Sequence, residues 1–287
     1  MKYGLGIDFG GTLLRAAIIR EDGEIIRQLK APTTELNNKN ELIAKMVELA
    51  KGVRYEEYDI KKVGVAICGP VEPKEGIIYY LPNVKFEPFS LKEELEKALN
   101  IEVELGNDAN VAAFAESKIG FGKGKEIVQF ITISTGIGGG LVIDGKIIGG
   151  KMGMGQEIGH MHVLDSEFEK LCSGTGIPLL AKRYELNVAN AKEFFDLVTA
   201  KDELALKVFD AWLELLSTQI ANMVYYIAPD IFVFGGGVMK SRNLFFDELI
   251  SRVENKILPA LRGKIEYKVT YLDQDLTVVG AGLLGIK

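Results

Sequence analysis

The pattern of apolar and polar residues at the start of the chain predicts three short strands joined by tight turns. The strands are expected over residues 2–8, 13–19 and 24–30, with a glycine turn after the first and Asp22-Gly23 after the second. The same order of strand, glycine turn, strand and Asp-Gly turn recurs over residues 127–145. This recurrence indicates an internal duplication and therefore two halves of similar construction.

Beyond these strands, the spacing of apolar residues predicts helices that alternate with buried strands. Helical spacing covers residues 41–51, 91–99, 204–227, 244–257 and 278–284, and buried strands are expected over residues 62–68, 101–105, 231–234 and 265–271. The alternation favours an α/β fold with a mixed sheet in each of two lobes that close on a cleft. We expect a smaller N-terminal lobe over residues 1–118 and a larger C-terminal lobe over residues 119–275. A C-terminal helix over about residues 276–287 is expected to pack back on the first lobe.

Charge and composition argue against several classes of protein. The 287 residues carry a net charge of -6, which disfavours a nucleic-acid-binding surface. No secretory signal is recognisable, and no apolar run reaches the roughly 20 residues of a membrane span. Cys68 and Cys172 are too few for a disulfide framework. We therefore expect a cytoplasmic protein that acts on small molecules, without nucleic acid or a membrane as a partner.

Two glycine-rich turns that follow predicted strands are candidate phosphate loops. The first contains Asp8, Gly10, Gly11 and Thr12, and the second contains Thr135 and Gly136 in a turn expected over residues 134–140. Glycine lets backbone N–H groups approach phosphate oxygens, threonine adds a hydroxyl donor, and an aspartate at a strand end can hold hydrated Mg²⁺. An ordinary hairpin turn is the alternative for the first loop alone. The presence of two such loops favours ATP held between two lobes.

A third glycine turn follows the buried strand at residues 231–234. Gly236 and Gly237 in this turn leave room for a flat ring against the backbone. A plain turn or close packing of a strand on a helix is the alternative. None of the three turns matches the P-loop or the dinucleotide fingerprint, so NAD on a Rossmann unit is disfavoured.

A carboxylate flanked by carboxamides lies where a predicted strand meets a predicted helix. Asn107 and Asp108 follow the strand at residues 101–105, and good helix formers begin at Val111. Such a carboxylate can grip a polyol and take a proton from one hydroxyl. The alternative is an aspartate that caps the helix. The phosphate-loop candidates favour the catalytic interpretation.

Other polar residues are candidates for sugar binding. Glu157 and His160 stand three residues apart after a run of glycines and can converge on adjacent hydroxyls. A satisfied histidine and half of a metal site are the alternatives. Asn83 follows a proline, so a turn asparagine is its alternative. Glu169 precedes a polar turn, and a solvated turn is the simpler explanation of that stretch.

Taken in order, these motifs resemble the ROK family of sugar kinases, within the actin-like ATPase superfamily. The motifs that carry the resemblance are Asp8-Phe9-Gly10-Gly11-Thr12, Gly69-Pro70-Val71, Pro82-Asn83, Gly106-Asn107-Asp108-Ala109-Asn110, Thr135-Gly136-Ile137-Gly138-Gly139-Gly140, Glu157-Ile158-Gly159-His160 and Gly235-Gly236-Gly237. They span nearly the whole chain. The resemblance implies an α/β, two-lobed actin-like (ribonuclease-H-like) ATPase fold with an interlobe cleft.

The resemblance also implies a role for each motif. Asp108 matches the general base that deprotonates a sugar hydroxyl, usually O6 of a hexose. The sugar-binding positions of the family are matched by Asn83, Asn107, Glu157 and His160. Its phosphate loops are matched by Gly10, Gly11, Thr12, Thr135 and Gly136, and its adenosine loop by Gly236 and Gly237. Asp8 matches the carboxylate that binds magnesium through water. The implied cofactors are ATP and Mg²⁺. A homodimer is the oligomeric state that the resemblance implies.

The segment after His160 departs from the family. Members usually carry a C-x-C-G-x-x-G-C-x-E stretch there, whose cysteines bind structural zinc together with the motif histidine, whereas this chain has a shorter loop without those cysteines. We therefore predict no zinc site. Apolar packing is expected to hold the loop instead, through Val163, Leu164, Phe168 and Leu171. Aligning Ser173-Gly174-Thr175 with the family's S-G-T places Glu169 at a sugar-contacting position.

The expected activity is ATP-dependent phosphorylation of a hexose, with glucose to glucose 6-phosphate as the first expectation. Fructose, mannose and an N-acylhexosamine are alternative substrates for the same chemistry. A non-catalytic sugar-binding sensor and an actin-like filament or chaperone ATPase are competing classes. Intact Asp108 and intact phosphate loops count against the sensor, and the sugar-type residues around Asp108 and Glu157 count against the ATPase.

Overall fold

The computed structural model describes residues 1–81 and 84–286 and, at Asp273, the backbone alone. The strands are β1 (Tyr3–Phe9), β2 (Leu13–Arg20), β3 (Ile25–Pro32), β4 (Lys62–Ile67), β5 (Val71–Glu72), β6 (Ile77–Ile78), β7 (Phe89–Ser90), β8 (Glu102–Asn107), β9 (Ile127–Ile133), β10 (Ile137–Ile143), β11 (Lys146–Ile147), β12 (His162–Val163), β13 (Ser166–Glu167), β14 (Ile231–Gly235) and β15 (Glu266–Val269). The helices are α1 (Lys39–Gly52), α2 (Leu91–Leu99), α3 (Asp108–Ile119), α4 (Phe168–Cys172), α5 (Gly176–Lys182), α6 (Ala191–Thr199), α7 (Glu203–Ile227), α8 (Phe246–Lys256) and α9 (Leu276–Leu284). Within the described residues, no helix combines the length and the apolar character that a membrane crossing requires.

The chain divides into two compact units. Unit 1 consists of Met1–Gly124, Gly140–Gln156 and Leu272–Lys287, and unit 2 consists of Lys125–Gly139 and Glu157–Tyr271. The segment Gly140–Gln156, which the sequence assigned to the second lobe, belongs to unit 1 because it packs there. A Cβ at Gly153 would lie 1.9 Å from the carbonyl oxygen of Val71, so the backbone of this segment lies directly against β5.

Unit 1 is built on a five-stranded sheet with the order β3–β2–β1–β4–β8. β1, β2 and β3 are antiparallel neighbours, whereas β4 runs parallel to both β1 and β8. Helices α1 and α2 bury their apolar residues on one face of this sheet, Leu42 and Leu95 among them. This layer forms one hydrophobic core.

The other face of the same sheet is covered by α9 and α3. Val278 of α9 is buried with Ala17 and Ile19 of β2, and Ala281 is buried with Val111 of α3. At Gly6 of β1, a Cβ would lie 2.5 Å from the backbone of α9, so only glycine permits this close approach. The C-terminal helix therefore packs tightly on the sheet of unit 1.

In unit 2, β14 lies between β9 and β15 and runs parallel to both. The long helix α7 begins at its N-cap Asp202, whose carboxylate accepts hydrogen bonds from two amides of the first turn. Trp212 of α7 is fully buried, with its ring centroid 4.9 Å from that of Phe245, and its Nε1 donates to the carbonyl oxygen of Cys172 at 3.0 Å. This indole therefore connects α4 to α7 within the core.

Several stretches differ from the elements that the apolar pattern predicted, and the second glycine turn and three helices of unit 2 are the main ones. β10 begins at Ile137, so the second glycine turn ends at Gly136 rather than at residue 140. Gly140 lies in this strand because its backbone contacts α3, where a Cβ would meet the Ala109 carbonyl oxygen at 2.1 Å. The helices α4, α5 and α6 were not predicted, because their short apolar runs are buried by contacts with α7 and with one another that are distant in sequence.

Candidate active site

The carboxyl ends of β1 and β8 bring two predicted site motifs to one edge of the sheet of unit 1. Phe9 pairs with Ile67 of β4, and Ile67 pairs with Asn107 of β8. The first glycine turn and Asp108 directly follow these strand ends. The carboxyl edge of parallel strands is a common position for a ligand site in α/β proteins.

Asn107 and Asp108 divide two roles at the corner between β8 and α3. Asn107 is the N-cap of α3, and its Oδ1 accepts a hydrogen bond from the amide of Ala109 at 2.9 Å. Asp108 is the first residue of the helix, and its own Oδ1 accepts from the same amide at 2.8 Å. Because Asn107 is the cap, Asp108 is not needed for that purpose. Asp108 thus lies at the N-terminal end of α3, at the corner where β8 meets the helix.

Two carbonyl oxygens of the first glycine turn accept hydrogen bonds from Thr33, the residue that follows β3. Thr33 is fully buried, and its hydroxyl donates to the carbonyl oxygen of Gly11 at 3.0 Å while its amide donates to that of Thr12 at 3.0 Å. In the described chain, the amides of Gly11 and Thr12 have no protein acceptor, and both residues are exposed. Exposed amides beside a threonine hydroxyl form a suitable cradle for a phosphate oxygen. Thr33 was not predicted from the sequence.

Asp8, near the end of β1, has a buried carboxylate beside this turn. It is 4% exposed, and Arg15 lies directly opposite it on β2. The guanidinium donates to Oδ2 of Asp8 from Nε at 2.8 Å and from Nη2 at 2.5 Å. Burial raises the pKa of the Asp8 carboxyl, and the neighbouring Arg15 offsets only part of that rise.

The donor groups of this site fit magnesium that arrives with a nucleotide. Asp8 supplies one carboxylate, and no group of three or more His, Cys, Asp or Glu side chains that could hold a metal occurs among residues 1–81 and 84–286. Mg²⁺ keeps several waters and is commonly bound through one or two carboxylates together with substrate phosphates. One carboxylate beside an amide-rich turn matches that requirement and does not match a metal cage made of protein alone.

Unit 2 also places two glycine turns side by side at strand ends. Thr132 of β9 pairs with Gly235 of β14, so the turns after the two strands lie at the same edge. Gly236 has a φ of 93°, and a Cβ there would lie 2.4 Å from the carbonyl oxygen of Ile133. A Cβ at Gly237 would lie 3.7 Å from the hydroxyl of Ser134. The candidate adenosine turn therefore packs directly against the candidate phosphate turn.

The turn at Thr135 and Gly136 is supported by the segment after α4. The hydroxyl of Thr175 donates to the carbonyl oxygen of Thr135 at 2.7 Å, and the amide of Gly174 donates to that of Ser134 at 2.7 Å. Sequence reasoning alone favoured a solvated turn at Gly174 and Thr175. The structure instead shows that they fix the backbone of the second candidate phosphate loop.

Three of the predicted sugar-binding residues lie close together in unit 2. Glu169 accepts a hydrogen bond from the amide of Ile137 at 2.7 Å, and its Oε2 would be 2.3 Å from a Cβ at Gly136. Burial raises the pKa of Glu157, the charge of Glu169 raises it further, and His160 lowers it. Glu169 therefore lies near Glu157, and its contact with a sugar stays a prediction. Asn83, the remaining predicted sugar ligand, lies outside the described residues.

The short loop after His160 is a two-stranded hairpin of β12 and β13. Val163, Phe168 and Leu171 are buried, as predicted, but Leu164 is 74% exposed. The prediction for Leu164 was wrong because this residue occupies the tip of the hairpin with a φ of 55°, which directs it away from the core. His160 is exposed, and its Nδ1 lies 3.4 Å from Oε2 of Glu167. The absence of zinc from this loop stays a prediction.

Almost the whole chain matches the model of one protein family, the ROK family, over residues 4–287. The chain belongs to the ROK family. The glucokinase of Halalkalibacterium halodurans is 30% identical to it, over 99% of this chain and 94% of that protein. The ROK hexokinase of Thermus thermophilus superposes with a TM-score of 0.88 at 25% identity, covering 98% of this chain and 97% of that one. A ROK glucokinase from Streptomyces griseus, solved with glucose and AMPPNP, gives 0.78 at 24% identity and covers 98% of both chains.

The ROK assignment confirms two of the predictions made from sequence motifs. The family is the one that the motif order indicated, and the fold is the two-lobed actin-like ATPase fold of ROK kinases.

Proposed function

We propose that this ROK protein transfers the γ-phosphoryl group of ATP to the 6-hydroxyl of glucose, with Asp108 as the general base. The broader activity, that of an ATP-dependent sugar kinase, follows from the family and from the glucokinase relative that aligns over 99% of the chain. Glucose is the substrate favoured by that relative's name and by the glucose complex of the Streptomyces griseus ROK glucokinase.

The observation that carries the proposal is the common edge of β1 and β8. The two strands flank β4, and adjacent strands lie about 4.8 Å apart, so the first glycine turn and Asp108 start roughly 10 Å from each other. That separation leaves room for a sugar hydroxyl next to Asp108 and a phosphoryl group next to the amides of Gly11 and Thr12. A base and an anion cradle on one rigid sheet edge are what phosphoryl transfer to an alcohol requires.

In the proposed reaction, a sugar hydroxyl attacks the γ-phosphorus while Asp108 accepts the hydroxyl proton. The new bond joins the sugar oxygen to phosphorus, and the bond to the β–γ bridging oxygen breaks, so ADP leaves with that electron pair. We assign the amides of Gly11 and Thr12, and the turn at Thr135 and Gly136, to the phosphates. Asp8 would hold hydrated Mg²⁺ near the phosphates, and the bound ion would neutralise part of their charge.

The sugar is proposed to be bound through hydroxyl hydrogen bonds. Asn107 is fixed by its capping role, and Glu157, His160 and Glu169 form the cluster in unit 2. Carboxylates and carboxamides accept and donate in the patterns that vicinal hydroxyls need. Asn83 keeps its proposed role from the family resemblance, and Gly236 and Gly237 are proposed to contact the adenosine.

The test of the proposed base is Asp108→Asn. Asparagine has nearly the same shape but cannot accept the proton, so kcat should fall by about 10²–10⁴-fold. Calorimetric affinities for glucose and for ATP should stay close to those of the native protein. Initial rates of ADP formation with glucose, measured beside the two affinities, give this result.

The matched control is Asp202→Asn, which changes the aspartate that caps α7. Asparagine is an equally good N-cap, so this variant should keep native kinetics and stability. If Asp108→Asn also keeps near-native turnover, Asp108 is only a residue of a helix end, and the proposed base is incorrect.

A further inference from the structure

Arg15 lies next to the first glycine turn, yet its donors are committed to protein acceptors. Nε and Nη2 both bind Oδ2 of Asp8, while Nη1 donates to the carbonyl oxygen of Gln274 at 2.6 Å and to Oδ1 of Asp275 at 3.2 Å. A guanidinium has five N–H donors, and four of them are accounted for by these contacts. The side chain is also only 12% exposed. This cation is therefore arranged to act on Asp8 rather than on a nucleotide phosphate.

We propose that Arg15 is a positioning residue for the nucleotide site, which fixes Asp8 so that its other oxygen, Oδ1, is presented to the hydrated magnesium of ATP. The proposal rests on the proposed function. With both Arg15 donors on Oδ2, rotation of the carboxylate is restricted, and the direction of Oδ1 is set by the protein before any ligand binds. In other metal sites, a residue that hydrogen-bonds to a ligating carboxylate orients that carboxylate toward the metal.

The pairing is built into the sheet. Asp8 and Arg15 are directly opposite in the β1–β2 register, so the hairpin that makes the glycine turn also brings the guanidinium to the carboxylate. Only a planar fork can hold one carboxylate oxygen from two directions and reach a second set of acceptors. A lysine provides a single ammonium group and would not reproduce this geometry.

The same guanidinium connects Asp8 to the segment that leads into α9. Gln274 and Asp275 directly precede α9, which packs on β1 through Gly6. One side chain thus joins the strand that carries Asp8, its neighbour β2, and the start of the C-terminal helix. Loss of Arg15 would leave the buried Asp8 carboxylate without a cation and free to change its rotamer.

The experiment compares Arg15→Gln with the native protein by calorimetric binding of ADP, once with Mg²⁺ and once in EDTA. The ratio of the two affinities measures how much Mg²⁺ strengthens ADP binding, and we call this ratio the magnesium-dependent gain. We expect Arg15→Gln to reduce this magnesium-dependent gain by about 10–100-fold. ADP affinity in EDTA and glucose affinity should change little. In steady-state assays the KM for Mg·ATP should rise, whereas the KM for glucose should not.

Arg20→Gln is the matched control. Arg20 ends the same strand β2 and also pairs with carboxylates, Asp22 and Glu24, but it does so at the far hairpin. This variant should keep the native magnesium-dependent gain. Thermal unfolding of each variant in EDTA shows whether it is folded, and Arg15→Lys, expected to lose part of the gain, replaces Arg15→Gln if the latter does not fold.

Several results would overturn the inference. One is a native magnesium-dependent gain in the folded Arg15 variant, and another is the absence of any such gain in the native protein. A third is a variant that binds ADP, glucose and Mg·ADP more weakly to the same extent and also unfolds at a lower temperature, which would show a purely structural role. If magnesium-dependent ADP binding is lost in Arg15→Gln but the native protein phosphorylates no sugar, the positioning role stands and the proposed function fails.

Discussion

Three acidic side chains of the candidate site have different surroundings, and each is suited to a different task. Asp8 is buried, and one of its carboxylate oxygens accepts two hydrogen bonds from Arg15. Asp108 is the first residue of α3, next to the N-cap Asn107. Glu157 is half-buried near Glu169, and the pKa of its carboxyl is raised. The three carboxylates therefore differ in burial and in partners, which agrees with the three different roles proposed for them.

The environment of Glu157 predicts that its ionisation lowers the free energy of unfolding, so that this contribution depends on pH. Because burial raises its pKa in the folded protein above the ordinary value of 4.5, the folded state holds this proton more tightly than the unfolded state. The free energy of unfolding contributed by Glu157 therefore falls as the pH rises from about that value through the folded pKa. Glu157→Gln lacks this decline. Relative to the native protein, its stability should increase with pH across that window and then level off.

Urea unfolding of both proteins without sugar, at several pH values from acid to neutral, measures this difference. Glu185→Gln is the control, since Glu185 is an exposed carboxylate of the same unit. A stability difference between Glu157→Gln and the native protein that stays constant or declines with rising pH would contradict the stated burial of Glu157.

At the scale of elements, both units use the same device to shape a phosphate-type turn. In unit 1 the hydroxyl of Thr33 binds the carbonyl oxygen of Gly11, and in unit 2 the hydroxyl of Thr175 binds that of Thr135. A carbonyl held on one side of a turn leaves the amides to face the other way. The two turns are therefore held in a similar way, although Thr33 follows a strand and Thr175 follows a helix.

The packing of the third turn predicts that Gly236→Ala weakens ATP binding. A Cβ at Gly236 would lie 2.4 Å from the Ile133 carbonyl oxygen, so the Gly235–Gly237 backbone must move away from the end of β9. Nucleotide affinity should fall about 10-fold or more, the equivalent of roughly 1.4 kcal/mol. Calorimetric ATP titration, beside glucose titration, measures the effect and its selectivity.

Gly263→Ala is the control for backbone strain. Gly263 also has a positive φ, 67°, but a Cβ there would have no atom within 4 Å. This variant should cost only the roughly 1–2 kcal/mol of a left-handed alanine and should keep native ATP affinity. Equal ATP affinities of the two alanine variants would mean that Gly236 does not shape the adenosine site.

At the scale of the molecule, the sequence predicted what depends on local signals. Strand ends followed by glycine turns located Asp8, Thr135 and Gly236, and a strand-to-helix corner located Asp108. The residues that support them were missed for two reasons. Thr33 is 22 positions from Gly11, whereas Arg15 is only seven positions from Asp8 but meets it through the exact register of the β1–β2 hairpin. The spacing of apolar residues specifies neither a contact between distant positions nor the register of a hairpin.

The sequence of the loop after His160, which lacks the cysteines of the family's zinc site, predicts a protein without structural zinc. Cys172 is fully buried in the core, where burial raises the pKa of its thiol and opposes the thiolate that zinc requires. His160 is exposed and lies near Glu167. Elemental analysis should find no stoichiometric zinc, and a zinc-selective chelator should leave activity intact while magnesium removal abolishes it. Stoichiometric zinc, or activity lost to the chelator and restored by zinc, would contradict this reading of the loop.

The central claim is that this ROK protein phosphorylates glucose on O6 with ATP. The most direct measurement is ADP formation with glucose, fructose, mannose and N-acetylhexosamines in turn, together with identification of each phosphorylated product by NMR. We predict that glucose gives the highest kcat/KM and that glucose 6-phosphate forms in a one-to-one ratio with ADP. ADP formation that no sugar stimulates would contradict a kinase role altogether, and a higher kcat/KM with another sugar would contradict the assignment to glucose.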